Sequence, residues 1–382
     1  MRHVALLIES SGSYGRGLLQ EIARYNREHE GWSTYYRPSG PERPFPDWIA
    51  GWKGDGMIVR IENKAMADLV KKTGVPVVNL RGTVKGLSFP FLAVDNEQVA
   101  KIAAQHLQER GLRSFGFCGR PPGINPSLDE RREFFEKIVK EAGFPCDVYD
   151  AVDPDQQAGW EHEQAKLVKW IKSLPKPVGV MACNDERGLQ VLDACRRCGA
   201  AVPDEVGVIA VDNDLPMCEL AIPPLTSVDV NAEGIGYEAA ALLDRMMSGK
   251  KPPTKATMLS PRGVITRRST DLIASEDEEV SRAVRYIREH ACNRLQVSDV
   301  LTHMGMSRAS LQQRMKQIVG RTIHQEIQRV RLNRAKDLLA MSNLTIKQVA
   351  RESGFASVQY MTRVFRGATN ETPARYRNHR AK

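Results

Sequence analysis

Groups able to form paired hydrogen bonds follow several short apolar runs in the N-terminal two thirds of the chain. They are carboxylates, amides, hydroxyls and guanidinium groups. Such groups bind the vicinal hydroxyls of a sugar with high discrimination, because an unmatched buried partner costs free energy. The set comprises Glu9, Ser10, Tyr14, Arg16, Arg60, Glu62, Arg81, Asp95, Asn184, Asp185, Arg187, Asp212, Asn213 and Asp214. For any one of them a helix cap or a rim ion pair is an equally good interpretation, and Asp95 is expected to be a cap.

Three tryptophans offer a second kind of ligand contact. Trp32, Trp48 and Trp52 are able to provide an aromatic face on which a sugar ring stacks. Trp48 and Trp52 lie near Pro44 and Pro46, however, and packing of that loop is the alternative interpretation.

Strands that alternate with amphipathic helices must position these side chains. We predict strands at 4–8, 56–61, 76–80, 92–94, 114–118, 179–183 and 206–211, and helices at 17–28, 96–110, 127–142, 187–198 and 234–247. This alternation is typical of parallel sheets with helices on both faces, in which ligands bind at the carboxyl ends of the strands. Because the region is too long for one such unit, we predict two similar α/β lobes with a cleft between them over residues 1–265.

A second group of candidate residues lies in a pattern that occurs twice near the C-terminus. In each copy an apolar-periodic helix ends at a glycine, Gly305 or Gly354, five residues after Val300 or Val349. A serine then caps the following helix, so the pattern predicts two helix-turn-helix units. The second helices have polar faces suited to base edges and phosphates in the major groove. The candidate DNA contacts are Ser307, Arg308, Ser310, Gln312, Gln313, Arg314, Lys316, Ser357, Gln359, Tyr360, Arg363 and Arg366.

The helix predicted between the two copies, at 324–341, sets their spacing. At about 1.5 Å per residue it spans roughly 27 Å, which suits two recognition helices about one DNA turn, roughly 34 Å, apart. One chain is therefore able to read two adjacent major grooves. Leu311 and Met315 in the first recognition helix, and Met361 and Phe365 in the second, are expected to face the core.

The net charge of +9 is divided unevenly along the chain. Residues 281–382 contain 20 Lys and Arg against 6 Asp and Glu, whereas residues 1–280 contain 35 against 40. A basic, helix-rich quarter is typical of a nucleic-acid-binding domain, which we assign to residues 282–382. Residues 266–281 are predicted to be a solvated linker. Docking of its acidic run, 276–279, on the basic domain is the alternative.

Several other classes of function are not expected. No apolar run reaches the roughly 18 residues of a membrane span and no cleavable signal pattern is present, so we expect a cytoplasmic protein. The seven cysteines fit reduced thiols, and the C-x-x-C of Cys195 and Cys198 has no second pair to complete a zinc site. Residues 10–17 lack the ends of a phosphate-binding loop. Because no catalytic constellation stands out, we predict no enzyme, cofactor or metal.

The C-terminal hundred residues resemble the AraC/XylS family of transcriptional regulators. The resemblance lies in GMSRASLQQRMKQIVG, RLNRAKDLL, IKQVARESGFASVQYMTRVFR and TPARYR. Met315 stands where the family usually has Phe, and Asn370 stands where Gly is common. Both replacements preserve the local role, one as an apolar core residue and one in the left-handed conformation.

The N-terminal region resembles the effector domain of LacI/GalR regulators and of periplasmic sugar-binding proteins. The resemblance lies in Asp95, His106-Leu107, Gly111, Arg131 ahead of Phe134-Phe135, Asn184-Asp185, VPDEVGVIAVDN and IPPLTSV. It implies effector contacts at Arg131, Asn184 and Asp212, with Ser10 near another. Combined with the strand-end residues, it yields the candidate sugar-binding set Ser10, Tyr14, Arg60, Arg131, Asn184, Asp185 and Asp212.

The order of the two parts is similar to that of regulators of xylose operons. This resemblance implies a homodimer that binds D-xylose and double-stranded DNA and activates sugar catabolism genes with RNA polymerase. A regulator of the same architecture that senses another sugar, or that represses, is the first alternative. The others are a sugar-acting enzyme with a nucleic-acid-binding tail and a constitutive DNA-binding protein whose cleft is vestigial.

Overall fold

The computed structural model describes residues 1–36, 47–84, 86–151, 159–272, 277–342 and 344–380. The chain divides into two units, Met1–Leu272 and Ile273–Lys382, and the predicted linker spans that division. The prediction of a solvated linker is wrong at Ser269 and Thr270, which are fully buried in the first unit.

The first unit alternates strands and helices as the sequence predicts. Its strands are β1 Arg2–Leu7, β2 Trp32–Tyr36, β3 Gly56–Val59, β4 Val77–Asn79, β5 Leu92–Val94, β6 Phe115–Cys118, β7 Cys146–Val148, β8 Val178–Ala182, β9 Val206–Val211, β10 Thr226–Asp229, β11 Thr257–Leu259 and β12 Gly263–Ile265. Its helices are α1 Ser13–His29, α2 Lys64–Lys72, α3 Asn96–Gln108, α4 Pro126–Glu141, α5 Gly159–Ser173, α6 Asp185–Cys198, α7 Leu215–Leu220 and α8 Ala232–Met247.

These elements form two lobes, each around its own sheet. Lobe 1 contains the parallel sheet β2-β1-β3-β4, and a bridge between Asn79 and Phe91 leads to the parallel pair β5-β11. Lobe 2 contains the sheet β12-β10-β9-β8-β6-β7, parallel except for β12. Strands β3, β6, β8 and β9 are buried along their whole length, because helices cover both faces of a parallel sheet. The predicted two-lobed α/β architecture is confirmed.

The chain passes between the lobes three times. Helix α3, which follows β5 of lobe 1, packs on α4 and on the strands of lobe 2. Helix α8, which follows β10 of lobe 2, packs on α1 and β3 of lobe 1. The third passage joins β11 to β12. The carboxyl ends of the parallel strands of both lobes therefore face a common cleft.

The described part of the second unit consists of helices joined by short turns, without strands. Its helices are α9 Glu278–His290, α10 Val297–Met304, α11 Arg308–Ile318, α12 Ile323–Met341, α13 Ile346–Glu352, α14 Val358–Thr369 and α15 Pro373–Arg380. One apolar cluster includes Leu311 and Met315 of α11, and another includes Met361 and Phe365 of α14. Helix α12 contributes to both clusters. The predicted pair of helix-turn-helix units, and the inward direction of these four side chains, are confirmed.

The predicted helix boundaries depend on two local signals, caps and glycines. Ser307 accepts a hydrogen bond from Ser310 N–H at the start of α11, and Ser357 caps α14 in the same way. Gly305 and Gly354 have φ angles of 63° and 77°, the left-handed region that glycine enters without strain. None of the described helices has both the length and the apolar character needed to cross a membrane.

Candidate functional site

A cavity of about 410 Å³ lies in the first unit at the facing strand ends of the two lobes. Five of the seven predicted sugar-binding residues line it: Tyr14, Arg60, Arg131, Asn184 and Asp212. The other two lie beside it. Ser10 accepts a hydrogen bond of 2.7 Å from the hydroxyl of Tyr36, and Asp185 lies beneath the turn that follows β9. The structure thus brings most of the predicted set together.

Arg131 holds the lobe 2 side of the cavity. It lies in the first half of α4 and is only 4% exposed. Its Nε donates to Asn96 Oδ1 at 2.9 Å, and its Nη1 donates to the carbonyl of Cys183 at 2.8 Å and lies 3.5 Å from Asp212 Oδ1. These bonds orient a planar guanidinium, a group suited to bidentate recognition of neighbouring oxygens.

Asp212 directly follows β9 and lies opposite that guanidinium. Burial raises its pKa above the ordinary value, although the positive charges of Arg131 and Arg60 act in the opposite direction. Its φ of 104° is unusual for a residue with a side chain, and such conformations occur mostly where function requires them. The carboxylate is an acceptor for a ligand hydroxyl.

Tyr14 and Arg60 form the lobe 1 side. The Arg60 guanidinium lies 5.3 Å from the centre of the Tyr14 ring, and its Nη1 is 3.7 Å from Glu9 Oε2. Burial raises the pKa of Tyr14, so its hydroxyl remains protonated. Among the described residues, Arg60 Nε is buried without a hydrogen-bond partner. Because such a donor costs roughly 1–3 kcal/mol, an acceptor oxygen of a ligand would be stabilising here.

Asn184 and Asp185 have different roles although they are neighbours. Asn184 lines the cavity, and its Oδ1 also caps α6 by accepting from Arg187 N–H at 3.0 Å. Asp185 is buried and accepts hydrogen bonds from Asp214 N–H at 2.6 Å and from the Ser227 hydroxyl at 2.5 Å. Burial, reinforced by the charge of Asp212, raises the pKa of Asp185 to about 7. Asp185 therefore stabilises the turn of residues 212–214 and does not line the cavity.

Several residues that line the cavity are not among the seven predicted sugar-binding residues. Glu9 and Arg81 are strand-end candidates from the sequence, whereas Phe91, Asn96, Ser127 and Glu130 are not. Asn96 donates to Ser127 Oγ and to Glu130 Oε2, both at 2.9 Å, and accepts from Arg131. Asn96 lies two residues after the end of β5, a position that the expectation of ligand contacts at the carboxyl ends of strands could have included.

The tryptophans do not supply the aromatic face of this cavity. The rings of Trp48 and Trp52 are 5.5 Å apart and pack with Tyr35, and Trp32 is buried and donates to Asp244. The stacking role is therefore wrong for all three. Packing of the first two is the alternative that the sequence left open, but its prolines, at 44 and 46, lie outside the described residues. Phe91 is an aromatic residue in the cavity wall.

The two predicted recognition helices, α11 and α14, expose most of the predicted DNA contacts. Those exposed to solvent are Ser307, Arg308, Ser310, Gln313, Lys316, Ser357, Gln359, Arg363 and Arg366, and Gln312 is half-buried. Two others contact neighbouring helices. Arg314 Nε donates to Asp277 Oδ2 at 2.7 Å. The Tyr360 hydroxyl accepts from Gln328, and the Arg363 guanidinium lies 5.2 Å from the centre of the Tyr360 ring.

Cys195 and Cys198 take part in packing and hydrogen bonding within lobe 2. Cys195 is buried in the core of lobe 2, and the Cys198 thiol donates to its carbonyl. Within the part of the chain that the structure describes, no group of three or more His, Cys, Asp or Glu side chains is arranged to hold a metal ion.

Comparison with known proteins agrees with this division of the chain. Residues 104–270 match a periplasmic binding protein-like domain and residues 300–379 a helix-turn-helix domain. The chain is 33% identical to the xylose operon regulatory protein of Haemophilus influenzae, over 98% of this chain and 97% of that protein. It is 32% identical to the protein of the same name from Escherichia coli K12, over 99% and 97%. A solved structure of the xylose-binding transcription activator xylR superposes with a TM-score of 0.75 at 30% identity, covering 99% of this chain and 98% of that one.

Proposed function

The chain belongs to the family of xylose operon regulatory proteins, and from this premise we propose that it is a transcriptional activator whose effector is D-xylose. In this proposal residues 1–265 bind the sugar, residues 282–382 bind operator DNA, and the segment between them connects the two functions. The protein acts in the cytoplasm as a homodimer and recruits RNA polymerase. Membership in a family of transcriptional regulators supports binding of the sugar as an effector and not its chemical conversion.

The observation that carries the proposal is the polar cavity between the lobes. Its volume of about 410 Å³ lies within the range of about 300–1,000 Å³ usual for small-molecule sites. It offers charged and amide groups from lobe 2, Arg131, Asn184 and Asp212, opposite Tyr14 and Arg60 from lobe 1. Hydroxyls on several faces of a pentose match this arrangement, because each requires a donor or an acceptor.

Sugar binding favours one arrangement of the lobes over another. A ligand that bonds Arg131 and Asp212 on one side and Tyr14 and Arg60 on the other stabilises the closed cleft, and it shifts the population by the difference in its affinity for the two states. The two protomers of a dimer together carry four helix-turn-helix units. In the proposal, closure determines whether these units occupy neighbouring half-sites.

The exposed residues of α11 and α14 perform the DNA contacts in this proposal. Arg308, Lys316, Arg363 and Arg366 neutralise phosphates, so affinity falls steeply as salt concentration rises. Gln313 and Gln359 are suited to adenine edges in the major groove. Base choice thus depends on a few side chains, and most of the affinity depends on charge.

A thermal-shift series against monosaccharides tests the effector. Binding to the folded state must stabilise it, so D-xylose is expected to raise the melting temperature of the first unit in a saturable manner, and D-glucose much less. Calorimetry should show simple binding with the sugar recovered unchanged, whereas turnover of the sugar would favour the enzyme. If no pentose or hexose shifts the melting temperature, the sugar-sensing proposal is contradicted.

A further inference from the structure

We infer that the turn of residues 212–214 transmits the effector state to the chain segment that leads into the DNA-binding unit, through the hydrogen bond between Asn213 and Arg267. This inference rests on the proposed function, since it assigns a route to a signal that the function requires. It makes Asn213 and Arg267 positioning residues that act on the response to the sugar and not on the sugar itself.

Three consecutive side chains of the turn contact three different parts of the first unit. Asp212 lines the cavity beside Arg131. Asn213 Oδ1 accepts a hydrogen bond of 2.9 Å from Arg267 Nη2. The Asp214 carboxylate accepts from the N–H of Ser13 and from Arg16, which both belong to α1 of lobe 1. The turn therefore joins ligand, opposite lobe and the end of the first unit.

The backbone of the turn is held in an uncommon conformation. Asp212 and Asn213 have φ angles of 104° and 52°. Asparagine accepts the left-handed region readily, whereas the φ of Asp212 lies outside the narrow left-handed region that is usual for residues with side chains. Here Asn213 N–H donates to Ser227 Oγ at 3.0 Å, and Asp214 N–H donates to Asp185 at 2.6 Å. A strained turn held by a few bonds is suited to switching between discrete arrangements.

Both inputs of a sugar sensor reach this turn. A ligand that bonds Asp212 competes with Arg131 for the same carboxylate, because the two side chains are only 3.5 Å apart. Closure of the lobes changes the position of Ser13 and Arg16 relative to Asp214, since these residues lie on opposite lobes. Ligand occupancy and lobe closure thus act on adjacent residues.

Arg267 fixes the output side of the turn to the core of lobe 2. Besides Asn213, its guanidinium donates to the carbonyl of Leu225 at 3.0 Å. Its backbone N–H donates to Thr226 Oγ1 at 2.8 Å. The residue is half-buried, so these bonds are partly shielded from water. A displacement of Asn213 therefore acts on the Arg267 guanidinium, in a residue whose backbone N–H is bonded to Thr226.

The residues after Arg267 are too firmly packed to absorb that displacement. Ser269 donates to the carbonyl of Val208 at 2.6 Å and accepts from Thr226 N–H. The Thr270 carbonyl accepts from Arg110 at 2.6 Å, and its hydroxyl contacts His106 at 2.8 Å. The chain is thus held by hydrogen bonds from Arg267 to Thr270, so a shift of this segment as a whole is passed on to the residues that follow it.

The test uses the full chain and two variants that leave the cavity intact. Asn213→Gly removes the side-chain amide, and glycine adopts a φ of 52° without strain. Arg267→Gln removes the other partner of the bond. Glu30→Gly is the matched control, because Glu30 is also left-handed, with φ of 45°, but ends α1 at a distance in sequence from the turn. Calorimetry measures D-xylose affinity, and fluorescence anisotropy measures affinity for promoter DNA with and without the sugar.

We expect both variants to bind D-xylose and DNA separately within about threefold of the wild type. Allosteric couplings are usually about 5- to 150-fold, and the change in DNA affinity caused by D-xylose should fall at least fivefold in each variant. The double variant should lose no more of the response than Arg267→Gln alone, because both changes break the bond between Asn213 and Arg267. Glu30→Gly should respond as the wild type does.

Two outcomes overturn the inference. If Asn213→Gly and Arg267→Gln respond to D-xylose as the wild type does, the signal takes another route. If either variant loses tenfold or more of its sugar affinity, the residue belongs to the binding site and not to the transmission route. A wild-type protein whose DNA affinity is indifferent to every sugar contradicts the proposed function itself, and the inference with it.

Discussion

Nε of Arg314 lies 2.7 Å from Oδ2 of Asp277 and joins the first recognition helix to the cap of α9. Asp277 also accepts a hydrogen bond from Val280 N–H, so its carboxylate caps α9 and bonds to α11 at the same time. The acidic run of the connecting segment thus has one member fixed within the second unit. This bond gives Arg314 a structural role that the sequence did not suggest.

The pair Arg308 and Arg314 separates DNA contact from structural support. Arg308→Ala, at an exposed position at the start of α11, is expected to weaken DNA binding and to make the salt dependence less steep by about one counterion. Arg314→Ala should lower the melting temperature of the second unit and change DNA affinity less. Anisotropy titrations at several salt concentrations, with thermal denaturation, measure both. The reverse pattern would show that Arg314 leaves Asp277 to contact DNA.

Arg131 should be sensitive to replacement by lysine. An ammonium group cannot reproduce a guanidinium that contacts Asn96, Cys183 and Asp212 together. Hydrogen bonds to charged groups contribute about 1.5–3 kcal/mol, so Arg131→Lys is expected to weaken D-xylose binding by roughly tenfold to a hundredfold. Arg132→Lys is the control on the same helix, because Arg132 faces Glu136 instead. Equal sugar affinities of the two variants in calorimetry would remove Arg131 from the site.

Asp185 should make stability depend on pH near neutrality. Its pKa in the folded protein, about 7, is above its ordinary value of 3.8. The folded state therefore binds its proton more tightly than the unfolded state. The resulting stabilisation is fully present below about pH 4 and is lost as pH rises towards 7, by a few kcal/mol in total.

Asp185→Asn removes this titration while an amide oxygen still accepts from Asp214 N–H. Relative to the variant, the wild type is expected to lose free energy of unfolding as pH rises from 5 to 7.5. Denaturant titrations at several pH values measure the difference between the two proteins. A constant difference across this interval would mean that Asp185 is ionised throughout.

The two turn glycines should differ in their tolerance of alanine. Both are left-handed, which costs a residue with a side chain about 1–2 kcal/mol. A Cβ on Gly305 would meet open space, whereas a Cβ on Gly354 would lie 2.7 Å from the Cα and carbonyl oxygen of Cys292. Gly354→Ala is therefore expected to destabilise the second unit far more than Gly305→Ala in thermal denaturation. Equal melting temperatures would show that residues 291–292 move away at little cost.

Local signals explain why the second unit was predictable. Ser307, Ser357 and the two glycines act within a few residues of their own positions, so the sequence alone shows where the helices begin and end. The partner of Arg314 lies 37 residues earlier in the chain. No periodicity reports such a contact, and it was therefore missed.

The first unit shows where pattern recognition stops. Strand β10 was not predicted, because Thr226 and Ser227 are polar although fully buried. The Thr226 hydroxyl donates to the carbonyl of Arg267, and the Ser227 hydroxyl donates to Asp185. The expectation that ligands bind at the carboxyl ends of parallel strands located the correct edge of the sheet. It could not decide between Asn184 and Asp185, since the rotation of α6 determines which of the two faces the cavity.

The central claim is that a sugar in the first unit changes DNA binding by the second. Its most direct test is a fluorescence anisotropy titration of the full chain with DNA from its own promoter region, at one salt concentration, with and without saturating D-xylose. D-xylose is expected to tighten DNA binding by fivefold or more, and D-glucose at the same concentration is expected to leave it unchanged. Identical DNA affinity in the absence and presence of every pentose and hexose tested would contradict it.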